Sequence, residues 1–192
     1  PVHRSRDYDK DRFEVCNHKY SAICDECHGA AVLNDCKYGI SANGNTLELT
    51  LLRAAASPDF RADNCIHHFT YAFTAWDGTF YDCDVVKQAY EINVNPTVLL
   101  EGRANFSFLQ IENENIILES VKLAEDESGD VIVRLYESKK AAVTTAIKTH
   151  FDNCTAYECD MMENILEKLP VSNGTISVSF RAFEIKTIRL KV

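Results

Sequence analysis

The feature that most constrains this chain is a period of two in its apolar residues. Thr46 to Leu51 alternates, as do Phe106 to Phe108, Val131 to Leu135 and Ile176 to Phe180. Alternation puts one face of a strand on a core and the other in water, so these runs predict half-buried β-strands. The turn chemistry agrees. Asn43-Gly44 and Asn173-Gly174 each lie between two strand-like runs, and Asn-Gly is a strong hairpin signal because both residues accept positive φ. Near the C-terminus the phase changes: Phe183 and Ile185 share one parity, and Ile188, Leu190 and Val192 share the other. An extra residue near Lys186-Thr187 would restore one buried face, which predicts a β-bulge there.

Helical signal is scarce. Asp84 to Tyr90 has room for two turns with Asp84 as cap. Asp160 to Leu169 carries Met161, Ile165, Leu166 and Leu169 at helical spacing and stops before Pro170. An irregular strand is the alternative for either. Asn93 to Pro96 and Glu101 to Arg103 interrupt the periodicity and read as loop. A boundary is therefore expected between about Asn93 and Asn105. Short strands recur after it, as in a small sandwich.

The charge excludes one class of partner. There are 20 Lys and Arg against 29 Asp and Glu, a net charge of -9. Such a surface repels phosphate backbones, and the densest basic cluster (His3, Arg4, Arg6) is offset by Asp7, Asp9 and Asp11. No nucleic-acid partner is expected. No apolar run approaches the ~18 residues of a transmembrane helix, so no membrane partner is expected either. The eight cysteines are even in number, which suits disulfides in a secreted protein. A chain of this length builds its own core, however, and free thiols in a reducing cytoplasm are the favoured reading. Asn105, Asn153 and Asn173 head glycosylation sequons and are treated as chance matches.

Several clusters invite chemistry. Cys24-Asp-Glu-Cys27-His28 fits the attachment motif of a c-type haem. A haem would need a helical scaffold, and a zinc site a second ligand pair, for which Cys16 and His18 are the nearby candidates. Coincidence is the favoured reading, and no metal is assigned. His67 and His68 are adjacent, so on a strand they point to opposite faces and do not share one metal. Arg53, Asp59, Arg61 and Asp63 follow an apolar strand. They read either as an ion-paired surface loop or as a loop that forks hydrogen bonds onto sugar hydroxyls. Trp76, Phe80, Tyr81 and Tyr90 are candidates for a sugar-stacking platform. No catalytic carboxylate pair, GxSxG, phosphate loop or dinucleotide fingerprint can be singled out. Taken alone, the chain reads as a binding or structural module.

An ordered set of motifs then points to a family. Val32 to Gly39, Gly44 to Leu47, Leu51 to Ala54, Pro58-Asp59, Ala62-Asp63, His67 and Phe69 to Ala72 follow one another. Upstream lie His3-Arg4 and Arg12 to Val15. Downstream come Leu118 to Lys122, Val133 to Glu137 and Phe183 to Thr187. Together they resemble the C-terminal region of glycoside hydrolase family 38 α-mannosidases, nearest the cytosolic, vacuolar and bacterial branch. The resemblance implies an all-β chain: residues 1–100 form the end of a large mutarotase-like β-sandwich, and 101–192 a small terminal β-sandwich. It implies retaining hydrolysis of terminal α-mannosyl linkages by a parent enzyme. The Asp nucleophile and zinc of that parent sit in an N-terminal barrel with no counterpart here. This chain would then be non-catalytic, contain no catalytic residue, and hold no cofactor of its own. Its partners would be its own catalytic domain and a mannosyl oligosaccharide, in a cytoplasmic protein that can be a homo-oligomer. By position, Arg53 is carried over as a substrate contact, with Asp59, Asp63 and His67 as companions. Asp35 and Lys37 are expected to pair and fix the turn that aims Arg53. The reading from another class is an independent carbohydrate-binding or adhesion module.

Overall fold

The computed structural model describes residues 2–5, 7–98, 100, 102, 105–151 and 153–192. The chain divides into two compact units, Val2–Leu99 and Leu100–Val192. Fifteen strands and one α-helix occur among the described residues. No helix among them is long and apolar enough to cross a membrane.

The first unit holds two three-stranded antiparallel sheets. One has the order β1-β4-β5, from Val15–Cys16, Gly39–Asn43 and Thr46–Thr50. The other has the order β2-β3-β6, from Tyr20–Cys24, His28–Asn34 and Tyr71–Asp77. The β4–β5 hairpin forms where the alternation predicts it, but its register pairs Asn43 with Thr46. The two-residue turn is therefore Gly44-Asn45, with Gly44 supplying φ +58. Helix α1, Val85–Asn93, lies on the second sheet and buries Val85, Val86 and Ala89. Asp84 stands at its N-cap, but its side chain makes no capping hydrogen bond. The capping box forms earlier, where Thr79 and Asp82 close the turn at Phe80–Asp82. The unit's apolar core is small: Ala31, Cys83 and Val85, with Tyr20, Ala22, Trp76 and Phe80 packed against it. Gly29 pairs with Trp76 across β3 and β6. A Cβ at Gly29 would lie 2.0 Å from the indole, so only glycine lets the ring reach this core.

Polar groups tie the unit together. The Asn34 amide donates to Asn17 Oδ1 at 2.9 Å, and Asn34 Oδ1 accepts the Lys37 N–H at 2.9 Å. Asn93 closes α1 by donating to Ala89 O at 2.8 Å and to Asn34 O at 3.0 Å.

The second unit is a sandwich of two antiparallel sheets. The strands are β7 (Leu109–Ile111), β8 (Ile116–Leu123), β9 (Val131–Glu137), β10 (Val143–Thr149), β11 (Thr155–Cys159), β12 (Ile165–Lys168), β13 (Val171–Ser172), β14 (Thr175–Phe180) and β15 (Ile185–Lys191). Their orders are β13-β14-β10-β7 and β12-β11-β15-β9-β8. Ile147, Ile176, Val178 and Phe180 of the first sheet meet Val131, Val133, Leu135, Ile188 and Leu190 of the second in one core. The β13–β14 turn is Asn173-Gly174, with φ +49 and +70, as its dipeptide predicts. Glu137 is fully buried. Its two carboxylate oxygens accept the N–H groups of Lys139 at 2.7 Å and Phe183 at 2.9 Å.

Three local expectations are corrected. The bulge expected at Lys186-Thr187 is absent, because β15 pairs with β9 without a register break from Ile185 to Leu190. The apparent phase change arises because Phe183 sits in a turn at φ +57, outside the strand, and Ile185, the first residue of β15, faces outward and is exposed. The segment Asp160 to Leu169 is a turn followed by an edge strand, so its irregular-strand alternative holds. Asp160 Oδ1 accepts the N–H groups of Met162 and Asn164, both at 2.9 Å, and this local bonding outcompetes a helix. Phe106 to Phe108 forms no strand, and the strand begins at Leu109.

Candidate functional site

Residues 51–70 link β5 to β6 without regular structure. Both ends of the loop are fixed at the turn after β3. Thr50 pairs with Gly39 at the end of the β4–β5 ladder. At the other end, Asp35 N–H donates to Thr70 O at 3.2 Å and Thr70 N–H donates to Asp35 Oδ2 at 2.9 Å. The Cys36 thiol beside it and then the Thr70 N–H hold the Asp35 carboxyl below the usual carboxylate range. Asp35 therefore bonds Thr70 rather than pairing with Lys37. The Lys37 ammonium lies 4.7 Å from the centre of the Phe69 ring.

Within the loop, Asp63 (φ +61) accepts the Ala54 N–H on Oδ2 at 2.9 Å, and its carbonyl meets His67 Nε2 at 2.8 Å. The same imidazole nitrogen lies 3.5 Å from Cys65 Sγ. Asp59 Oδ1 accepts the Arg61 N–H at 2.8 Å and serves its own turn. Arg53 forms an ion pair with Glu14, with both side chains substantially exposed. The loop thus gathers Asp63, His67 and the backbone beside Arg53 into one hydrogen-bonded arch. Asp59 is spent on a separate turn. The arch offers an arginine fork and a half-buried imidazole to a polar ligand. The sequence reading missed Glu14 because it lies 39 positions before Arg53, just ahead of β1, with no local signal linking them.

Other candidates resolve differently. Trp76 donates from Nε1 to Thr79 O at 3.0 Å and packs edge-on against Phe80, with ring centroids 6.4 Å apart. Tyr90 takes the Lys19 ammonium at 4.4 Å. The four aromatics do not form one exposed platform, because Trp76 and Phe80 fill the core under α1. His68 is exposed and His67 half-buried, on the irregular segment before β6. All eight cysteines are free thiols. The loop's side chains do not gather as metal ligands, and the group that does among the described residues is Asp25, Cys27 and His28.

Known proteins share both units. The family model described as the glycosyl hydrolases family 38 C-terminal domain matches residues 1–61. The family 38 C-terminal beta sandwich domain matches residues 115–188. Human alpha-mannosidase 2C1 is 32% identical over 99% of this chain and 19% of its own length. Alpha-mannosidase G of Dictyostelium discoideum is 33% identical over 98% of this chain and 18% of its own. An alpha-mannosidase of Saccharomyces cerevisiae is 30% identical over 99% of this chain and 20% of its own. The chain therefore spans about a fifth of the length of these relatives. A crystal structure of a glycosyl hydrolase family 38 protein from Enterococcus faecalis shares the fold with a TM-score of 0.71 at 16% identity. That likeness covers 92% of this chain and 22% of that one.

Proposed function

The chain belongs to glycoside hydrolase family 38 as a C-terminal β-region, and from that premise we propose that it is the non-catalytic part of a larger retaining α-mannosidase. The observation that carries this reading is the ordered match of both units to the family's two C-terminal domains. In this role the chain packs on its own catalytic domain and shapes the rim of the cleft that takes terminal α-mannosyl oligosaccharides. The sheet β2-β3-β6 supports it. One face is closed by α1, and the opposite face leaves Tyr71 and Phe73 60% and 74% exposed. A further layer of the parent would cover them. The zinc of the parent belongs to the catalytic domain, and the loop's donors do not converge to hold it. Free thiols support a reducing cytoplasm for the parent.

Two experiments test the reading. The isolated chain, assayed on an aryl α-mannoside with zinc added, is expected to show no turnover. Turnover comparable to that of a full-length enzyme would sink the claim that it is non-catalytic. In the full-length parent, Arg53→Ala is expected to raise KM or lower kcat about tenfold, the loss of one charged hydrogen bond, with the unfolding midpoint unchanged. An unaltered rate removes Arg53 from the substrate.

A further inference from the structure

The turn between β2 and β3 gathers donors that the mannosidase reading does not use. The strands are in register at Cys24 and Gly29, and the turn is closed by Asp25 N–H donating to His28 O at 3.0 Å. One oxygen of Asp25, Oδ1, accepts the N–H groups of both Cys27 (2.7 Å) and His28 (2.8 Å), which curls the turn around the carboxylate. The ligand atoms of Asp25, Cys27 and His28 consequently lie within 4.8 Å of one another. A second strand contributes independently. β6 pairs with β3 so that Asp77 stands directly opposite His28, with Asp77 Oδ1 3.8 Å from His28 Nε2. Gly78 N–H then donates to Cys27 O at 2.6 Å and locks the end of β6 against the turn.

This donor set has a chemistry. A thiolate, an imidazole and a carboxylate together match a borderline-soft divalent ion and discriminate against magnesium and calcium, which take oxygen ligands. Ligand atoms around a tetrahedral ion of this class stand about 3.3–3.8 Å apart, from metal–ligand bonds of about 2.0–2.3 Å. Side chains as exposed as these close the remaining ångström by small rotations. A carboxylate facing Nε2 favours the tautomer with Nδ1 unprotonated, the form that ligates, and such orienting partners recur behind ligating histidines. A ligating carboxylate commonly accepts amide hydrogen bonds at the same time, as Asp25 does.

We propose that Asp25, Cys27 and His28 bind one thiophilic divalent cation of the zinc class, with Asp77 as the residue that positions the imidazole. Binding deprotonates Cys27 and releases its proton to solvent, while the metal–sulfur bond forms. The ion would staple the β2–β3 turn, and its hold on His28 would tighten the contact with Asp77 at the end of β6.

Cobalt(II) is the probe, titrated into the chelator-treated 192-residue chain under reducing conditions. The expected result is saturation at one equivalent with a thiolate-to-cobalt charge-transfer band, displaced by zinc. Cys27→Ser is expected to abolish the band. His28→Ala and Asp77→Asn should each weaken binding by about tenfold or more, Asp77→Asn while keeping the band. Cys27, His28 and Asp77 are exposed, so these variants keep the fold. Glu26→Gln, at the turn's outer position, is expected to bind as the parent does. A band that survives Cys27→Ser, one lost in Cys24→Ser, failure to saturate at one equivalent, or unchanged affinity in both His28→Ala and Asp77→Asn overturns the proposal.

Discussion

Leu135→Ala is expected to destabilise the second unit by about 2–5 kcal/mol, the range for deleting a fully buried leucine. Leu135 is completely buried on β9, between β15 and β8. Around it stand Val133, Ile147, Ile176 and Ile188, contributed by both sheets. These β-branched neighbours have restricted rotamers and cannot follow the truncated side chain into the hole. Leu166→Ala on the exposed strand β12 is the matched control, expected to change stability by less than about 0.5 kcal/mol. Urea unfolding followed by circular dichroism is the measurement. Tryptophan fluorescence would miss it, because the single tryptophan, Trp76, belongs to the first unit. A loss below about 1 kcal/mol for Leu135→Ala would contradict the packing of the two sheets.

Arg189→Met is expected to destabilise the same unit by about 3 kcal/mol and to change its response to acid. Arg189 donates from Nε to Asp130 Oδ2 at 2.6 Å. From Nη2 it donates to Asp126 Oδ2 at 2.6 Å and to Ser128 Oγ at 2.8 Å. The guanidinium thereby ties the β8–β9 connection to β15. Removing one partner of a buried pair leaves the other charge uncompensated, here Asp130. The effect falls at the low end of that range because Asp126 is half exposed. The pH dependence follows from Asp126. Hydrogen bonds from Ser128, then Arg189, lower its pKa to about 2. A carboxyl whose folded pKa lies below its unfolded value contributes stability above the unfolded value, about pH 4, and loses it as pH falls toward 2. Glu163, lowered mainly by its Lys122 partner, and Asp160, lowered mainly by Asn164, act in the same direction. The unfolding midpoint should therefore drop between pH 4 and about pH 2. Arg189→Met should drop less over that interval, having already lost part of what acid removes. An equal acid slope in both proteins would refute the assignment.

How much of this was readable beforehand depends on the range of the interactions. Strand β14 was legible because it buries one face against a single core, which writes alternation into the sequence; β5 alternates with its inner face only half-buried, and β9 carries Ile132 buried on its other face as well. The Asn173-Gly174 turn was legible because its backbone demands those residue types. Asp160 to Leu169 looked helical because an exposed edge strand leaves its apolar residues free of the period of two. What stopped a helix there was one carboxylate bonding two backbone N–H groups. Trp76 seemed available to a sugar because nothing local announces that Gly29 lies opposite it. The pairing of Arg53 with Glu14 was unreadable for the same reason: it depends on how β1 and β5 flank β4. The family motifs, by contrast, were readable as an ordered set even where their individual roles were not.

The anchoring of the loop at residues 35–39 has a further consequence. Its two ends return to one short stretch of chain, held by the Gly39 ladder on one side and the Asp35–Thr70 clasp on the other. The segment between them is a cassette mounted on a fixed frame. Closing a longer loop costs little, roughly 0.6 kcal/mol for each doubling in length. The loop can therefore be lengthened or shortened between its anchors at small cost while both sheets stay in register. Grafting another relative's loop between Thr50 and Tyr71 is thus the natural way to alter the rim without rebuilding the fold.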